Sequence, residues 1–278
     1  MKKNILIIAL IMVTTTAFCQ KKEKIKGSKT VTIEQKTVAD FDAIEVLDDL
    51  EISLIKGDKN GVELEADDNL QGSLSLVSNG SVLTLSLSNK ISSYKKFNIR
   101  VTYTDGFKAI TSRDEAKITA LETIKLSSIT CNSFDTSKLF LNVDSKIFSL
   151  SSSDKSKAEL NLKTDQSTIV MSKNSELKAL ISSPVLKMDM YQKTEAALEG
   201  DIIDFQLRLD NNAEFEGKNL TAKNAAILAE AYTKGSVFAA TTFILDASGD
   251  AAIALYGDPK IEIKRFEDEV ILSKKRLK

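Results

Sequence analysis

Three consecutive 19-residue blocks carry the pattern that decides the fold: SKAELNLKTDQSTIVMSKN from Ser156, SELKALISSPVLKMDMYQK from Ser175 and TEAALEGDIIDFQLRLDNN from Thr194. Each opens on a small residue, and Ala213 opens the next block at the same interval. Aligned on that interval, like residues fall into columns. Two places after the small residue stand Leu139, Ala158, Leu177, Ala196 and Phe215, then, past a longer and a shorter spacing, Val237 and Ile253. Two places further stand Leu141, Leu160, Ala179, Leu198 and Gly217, then Ala239 and Leu255. Later in each block come Leu150, Ile169, Met188 and Leu207, then Ala229 and Leu245. Residues between these columns are mostly charged or small and polar. Apolar alternation of period two, repeated once per block, describes strands with one buried and one solvated face.

An interval of about 20 residues is too long for one arm of a hairpin and too short for a helical crossover, but it suits one turn of a β-solenoid. One coil offers roughly five inward apolar side chains at about 2 kcal/mol each, whereas ordering it costs on the order of 1 to 2 kcal/mol per residue. A single coil therefore does not fold alone. Stacked coils share their buried faces and pair their backbones at a rise of about 4.8 Å. The expected fold class is all-β: a single-stranded parallel β-helix of about 19 residues per coil through residues 41–261, with an irregular or antiparallel β part at its N-terminal end. The block openings then slip, with a longer step from Ala213 to Gly235 and a shorter one from Gly235 to Ala251. That slip predicts a bulged coil followed by a short one, with the extra residues in a turn.

The flanks read differently. Residues 1–19 have the form of a signal peptide, with Lys2 and Lys3, the apolar run Ile5 to Val13, and Ala17-Phe18-Cys19 before a predicted cleavage at Gln20. A lipoprotein anchored at Cys19 is the alternative, and the large Phe18 weighs against it. The apolar run is too short to remain as a membrane span, so the expected product is exported: periplasmic, on the outer surface, or secreted. Residues 20–40 are predicted as a lysine-rich spacer leading into a first strand. From Thr30 to Val101 the chain alternates as strands without the 19-residue interval, and Asn60-Gly61 and Asn79-Gly80 read as hairpin turns. That part is expected to cap the solenoid and cover its edge. A weaker early coil is signalled by Ala116, which precedes Ser137 by a slightly longer interval. Pro259 is predicted to end the ladder because it has no backbone donor; Ile261 to Arg265 is expected to pair as a last edge, and residues 262–278 are read as a charged tail that covers the far end.

Charge is balanced, with 38 basic and 39 acidic residues, which argues against a nucleic-acid partner. Histidine is absent, removing Ser-His-Asp and Cys-His catalysis, histidine-ligated zinc and histidine pH switching together. Tryptophan is absent and aromatics are 6% of the chain, which weakens a sugar-stacking reading. After the predicted cleavage Cys131 is the remaining thiol, so no internal disulfide is expected.

Phe41-Asp42-Ala43-Ile44, the stretch Val62 to Leu70, Leu83-Thr84-Leu85, the small-residue β-repeats and the closing Tyr256-Gly257-Asp258-Pro259-Lys260 together resemble the putative auto-transporter adhesin, head GIN domain family. The resemblance implies a right-handed parallel β-helix in an exported bacterial envelope protein, and it supplies no catalytic or binding residues. Asp258 stands where the family pattern leads one to expect Asn.

Two constellations are candidate sites. Glu176, Glu195 and Glu214 form an outward column that a calcium ion can bridge, unless Lys157, Lys178 and Lys193 neutralise it. At the corner before each coil, Tyr191, Asp210 and Tyr232 are expected in one column, beside Asn211 and Asn212, as a glycan or peptide contact. Glu195 with Glu214 also has the spacing of a hydrolytic carboxylate pair, so a polysaccharide-cleaving enzyme is an alternative, as is a glycan-binding module using the corner tyrosines. The preferred reading assigns no catalytic residue and no resident cofactor. It is an exported protein, not integral to the membrane, whose stacked surface meets another envelope or cell-surface macromolecule in adhesion or scaffolding.

Overall fold

A computed structural model describes residues 22–277; the expected signal peptide and Cys19 lie outside them. The first strands are β1 (Lys24–Lys26), β2 (Val31–Lys36), β3 (Ala43–Val46), β4 (Glu51–Lys56), β5 (Gly61–Asp67), β6 (Leu74–Asn79) and β7 (Val82–Leu87). They are followed by β8 (Lys90–Ser93), β9 (Phe97–Tyr103), β10 (Ala109–Ser112), β11 (Lys117–Ala120) and β12 (Ile124–Ser133). The long strands are β13 (Lys138–Ser152), β14 (Lys157–Met171), β15 (Glu176–Tyr191), β16 (Glu195–Asp210), β17 (Glu214–Ala229) and β18 (Lys234–Ala247). Three short strands close the order: β19 (Ala252–Tyr256), β20 (Lys260–Phe266) and β21 (Ile271–Lys274). The architecture is a β-solenoid of about 9 turns with roughly 19 residues per coil.

Each long strand folds into two arms because its alternation breaks once. In β14, Ala158, Leu160, Leu162 and Thr164 point inward, Asp165 and Gln166 both face solvent, and Ser167, Ile169 and Met171 point inward again. Two successive outward residues turn the chain so that both arms keep the same interior. The buried hydroxyls at this bend satisfy each other or the backbone: Thr164 Oγ1 lies 2.7 Å from Ser167 Oγ, and Ser183 Oγ donates to the Val185 carbonyl at 2.9 Å. The first arms stack into one parallel sheet, β4-β11-β13-β14-β15-β16-β17-β18-β19-β21, and the second arms into another, β7-β3-β10-β12-β13-β14-β15-β16-β17-β18-β20.

The opposite corner is a column of left-handed residues. Asp48, Asp114, Asp135, Asp154, Lys173, Gln192, Asn211, Ala231 and Asp268 have φ between 55° and 67°, and Gly249 completes the column at 73°. Aspartate suits this place because its carboxylate caps the turn of the neighbouring coil. Asp114 Oδ2 accepts from the Asp48 N–H at 2.9 Å, and Asp135 Oδ2 from the Asp114 N–H at 3.1 Å. Asp154 is held below the ordinary carboxylate range, chiefly by Lys173 and also by the Asp135 N–H. Inside this corner the early coils carry hydroxyls: Ser133 and Ser137 lie 2.9 Å apart, and Ser152 and Ser156 2.8 Å. Later coils fill the same space with Met171, Met190 and Leu209.

The N-terminal part mixes antiparallel with parallel pairs, within the expectation of an irregular or antiparallel end. β5 pairs with β9 on one side and β2 on the other, and the β6–β7 hairpin turns through Asn79-Gly80, where Gly80 has φ +60°. Asn60-Gly61 is not a hairpin turn, because β9 lies between β4 and β5; Asn60 instead donates from Nδ2 to the Phe41 carbonyl at 2.7 Å. The expected spacer is partly ordered, since β1 pairs with β8 over this end. Asp67 pins that cap. Its side chain is fully buried, which by itself would raise its pKa, but backbone N–H groups of Lys29 at 2.8 Å and of Lys95 and Lys96 at 3.1 Å outweigh burial and lower it.

The later coils differ from expectation in register. Gly235, not Val237, stands between Phe215 and Ile253; Val237 faces Gly217 and Leu255, and Ile227, not Ala229, lies between Leu207 and Leu245. Thr233 is therefore the small corner residue, and the additional residues bulge from β17 just past Gly217, partly offset by one extra residue in β18 opposite Ala222 to Asn224, rather than sitting in a turn. Phe215 fills the space that Gly217 leaves, its ring 5.5 Å from that of Phe205, while Ile253 and Leu209 close over Gly235. Pro259 does not end the ladder: the edge expected over Ile261 to Arg265 is present as β20, which resumes with Lys260 beside Thr242, and β21 follows it. Much of the expected tail is thus a coil rather than a cover.

A left-handed alanine costs about 1 kcal/mol, so Ala231→Gly is expected to raise unfolding stability in urea, whereas Gly249→Ala should lower it. At the cap, the depressed Asp67 pKa means its stabilisation is full above the unfolded value near 3.9 and lost as pH falls through the folded one. Hydrogen exchange should show the Lys29, Lys95 and Lys96 amides losing protection below about pH 4, and Asp67→Asn should remove that acid dependence.

Candidate functional site

Outward side chains of the first sheet form charge ladders. Along the first column run Lys138, Lys157, Glu176, Glu195, Glu214 and Lys234, each beside the next in register. The three glutamates therefore stack, as the spacing predicted. Lysines close both ends: Lys157 Nζ is 2.7 Å from Glu176 Oε2, and Lys234 Nζ is 3.0 Å from Glu214 Oε1. Among the described residues no group of three or more acidic, cysteine or histidine side chains is placed to hold a metal ion. The second column reads Phe140, Glu159, Lys178, Ala197, Glu216 and Ser236.

These ladders line two open grooves of about 700 Å³ and 710 Å³. Glu159, Lys178, Ala197 and Glu216 border both, so the grooves are contiguous and run along the face from Thr119 to Ser273. Their floor includes the exposed apolar side chains Leu180 and Ile271. Asparagines line one side, with Asn219 Nδ2 donating to Glu199 Oε1 at 3.2 Å. A face of this kind offers an extended ligand blocks of basic and acidic side chains at fixed spacing, with the apolar side chains Leu180 and Ile271 beside them.

The corner residues are not gathered as expected. Tyr191 and Asp210 are register partners, but the next coil places Glu230 in their column, its N–H bonded to the Leu209 carbonyl. Tyr232 comes two residues later in its coil, 66% exposed, after the left-handed Ala231. The longer coil causes this displacement. Asn211 and Asn212 both have positive φ, and Asn212 Nδ2 donates to Asn211 Oδ1 at 3.3 Å, so their amides shape the turn. Tyr191 packs under Arg208, whose guanidinium carbon lies 5.4 Å from the ring centre.

That arginine belongs to a network the sequence reading missed. Arg208 Nη2 lies 3.3 Å from Glu230 Oε2; Arg265 binds the other oxygen of Glu230 at 3.0 Å and Asp246 Oδ1 at 2.6 Å. Asp246, then Glu230, hold the proton on Arg265 more firmly. The equal spacings of Asp189 to Arg208 and of Asp246 to Arg265 were the available signal. Cys131 is buried and free, and burial pushes its thiol pKa to about 12, so it is no nucleophile.

The family model for the putative auto-transporter adhesin, head GIN domain, matches residues 40–259. No curated protein matches the chain. Among solved structures, a putative lipid binding protein from Parabacteroides distasonis is similar with a TM-score of 0.63 at 14% identity, covering 92% of this chain and 100% of that one. A putative adhesin from Parabacteroides distasonis gives 0.63 at 14%, covering 90% and 100%, and one from Parabacteroides merdae 0.56 at 14%, covering 91% and 99%. At these identities the likeness is one of fold. Among the described residues no helix is long and apolar enough to cross a membrane.

The glutamate column yields a direct test. Glu195→Lys exchanges two like-charged neighbours for two opposite ones and is expected to stabilise the fold by about 0.5 kcal/mol, read as a higher urea midpoint with an unchanged slope.

Proposed function

This chain belongs to the putative auto-transporter adhesin, head GIN domain family, and on that premise we propose that it is an exported, non-enzymatic β-solenoid acting in adhesion or as a cell-envelope scaffold. Its partner is an extended macromolecule lying along the outer face of the first sheet. The observation that carries this reading is the continuity of the two grooves across successive coils from Thr119 to Ser273. At about 4.8 Å per coil such a track suits a polymer rather than a small molecule. Its groups are held on a paired backbone, so their spacing is fixed before a partner arrives.

Two further points support the reading. Of the carboxylate pair Glu195 and Glu214, Glu214 is engaged by Lys234, which disfavours the two as a free acid and base. The leader-like sequence of residues 1–19 favours export.

Leu180 is 52% exposed on the groove floor, so Leu180→Asp alters the surface without entering the core. Cells carrying Leu180→Asp are expected to lose attachment to the extent that deletion of the protein does, while protease should digest the wild-type protein on intact cells. Unchanged attachment in the deletion strain would reject adhesion; protection from protease until lysis would leave the scaffold as the reading.

A further inference from the structure

The two ends of the solenoid are finished differently. At the N-terminal end Leu70 and Leu74 are buried, Ile25, Ile91 and Phe97 pack against the core, and Asp67 fixes the chain that crosses it. At the other end β20 continues the inward columns of β18, with Ile261 beside Phe243, Ile263 beside Leu245 and Phe266 beside Ala247. Those three β18 residues are fully buried, whereas Ile261, Ile263 and Phe266 are 45%, 49% and 46% exposed. Among the described residues β20 pairs with β18 alone, so its other backbone edge and the open interior beside it are uncovered. An unpaired edge next to an apolar patch is a template for another strand.

We propose that this C-terminal end is the contact face of a two-fold dimer, in which β20 of one copy pairs antiparallel with β20 of a second. The sequence of the strand selects that occupant. Antiparallel pairing centred on Ile263 places Glu262 of each copy opposite Lys264 of the other, so the strand is complementary to itself. Both side chains are exposed and, among the described residues, enter no ion pair within their own chain, whereas the adjacent Arg265 is already held by Asp246 and Glu230. In that register Ile263 of each copy faces Ile263 of the other, so the half-covered interiors of the two ends meet across the seam. Antiparallel closure of a parallel ladder has a precedent within the same chain, where β5 pairs with β9 at the opposite end. A head-to-tail joint has less to recommend it, because the N-terminal end already carries its cap.

The test is sedimentation equilibrium of the protein as isolated from cells that export it. A dimer is expected for the wild type. Glu262→Lys and Lys264→Glu each set like charges opposite one another twice per interface and should weaken association by about tenfold or more. The double exchange, Glu262→Lys with Lys264→Glu, restores complementarity and should restore the dimer. A wild-type monomer, open-ended oligomers, single variants that associate normally, or a double exchange that stays dissociated would each overturn the proposal.

Discussion

Backbone hydrogen bonds from each coil to the next hold equivalent residues of successive blocks in register, so Leu177 lies between Ala158 and Ala196, and Ile169 between Leu150 and Met188. No coil owns its core. Each inward side chain is covered by the coil above and the coil below, and the burial that offsets chain entropy exists only in the stack. The shape of a coil follows from this constraint. Two corners must recur at matching positions, which is why a bend repeats on one side, with a buried hydroxyl at Ser145, Thr164 and Ser183, and a left-handed residue on the other.

Register also explains how the chain absorbs irregular length. The additional residues in β17 are placed as bulges, and pairing with β18 resumes beyond them, so Ile227 still meets Leu245. Volume is conserved across coils in the same way: the large ring of Phe215 is flanked by Gly235 in its column and Gly217 along its strand. The core needs constant total volume more than constant residues.

Outward positions escape that constraint, and chemistry can vary there at fixed spacing. The same ladder that buries leucines therefore also builds the Lys157 to Lys234 charge column, the Arg208-Glu230-Arg265 network and the groove floor. Regular pairing has a cost at the ends, where a coil has one neighbour instead of two. The N-terminal end answers with antiparallel strands and a buried carboxylate; the other leaves Ile261, Ile263 and Phe266 half covered.

Period-two alternation recurring at one fixed interval was sufficient for the fold class, the coil length and the stacked glutamates, because in a parallel ladder sequence interval and spatial neighbour are the same quantity. The antiparallel character of the N-terminal part was legible as well, through Asn79-Gly80. Where the interval slipped, the sequence lost its ruler. Gly235 and Val237 both fit an apolar column, and only backbone pairing decides between them, so Tyr232 was assigned to the column that Glu230 occupies. The insertion of β9 between β4 and β5, the ordering of β1 over β8, the continuation into β21 and the exposed end at β20 rest on contacts between segments far apart in the chain. Local pattern carries no information about those contacts; they are set by which edge remains unpaired once the regular coils have stacked.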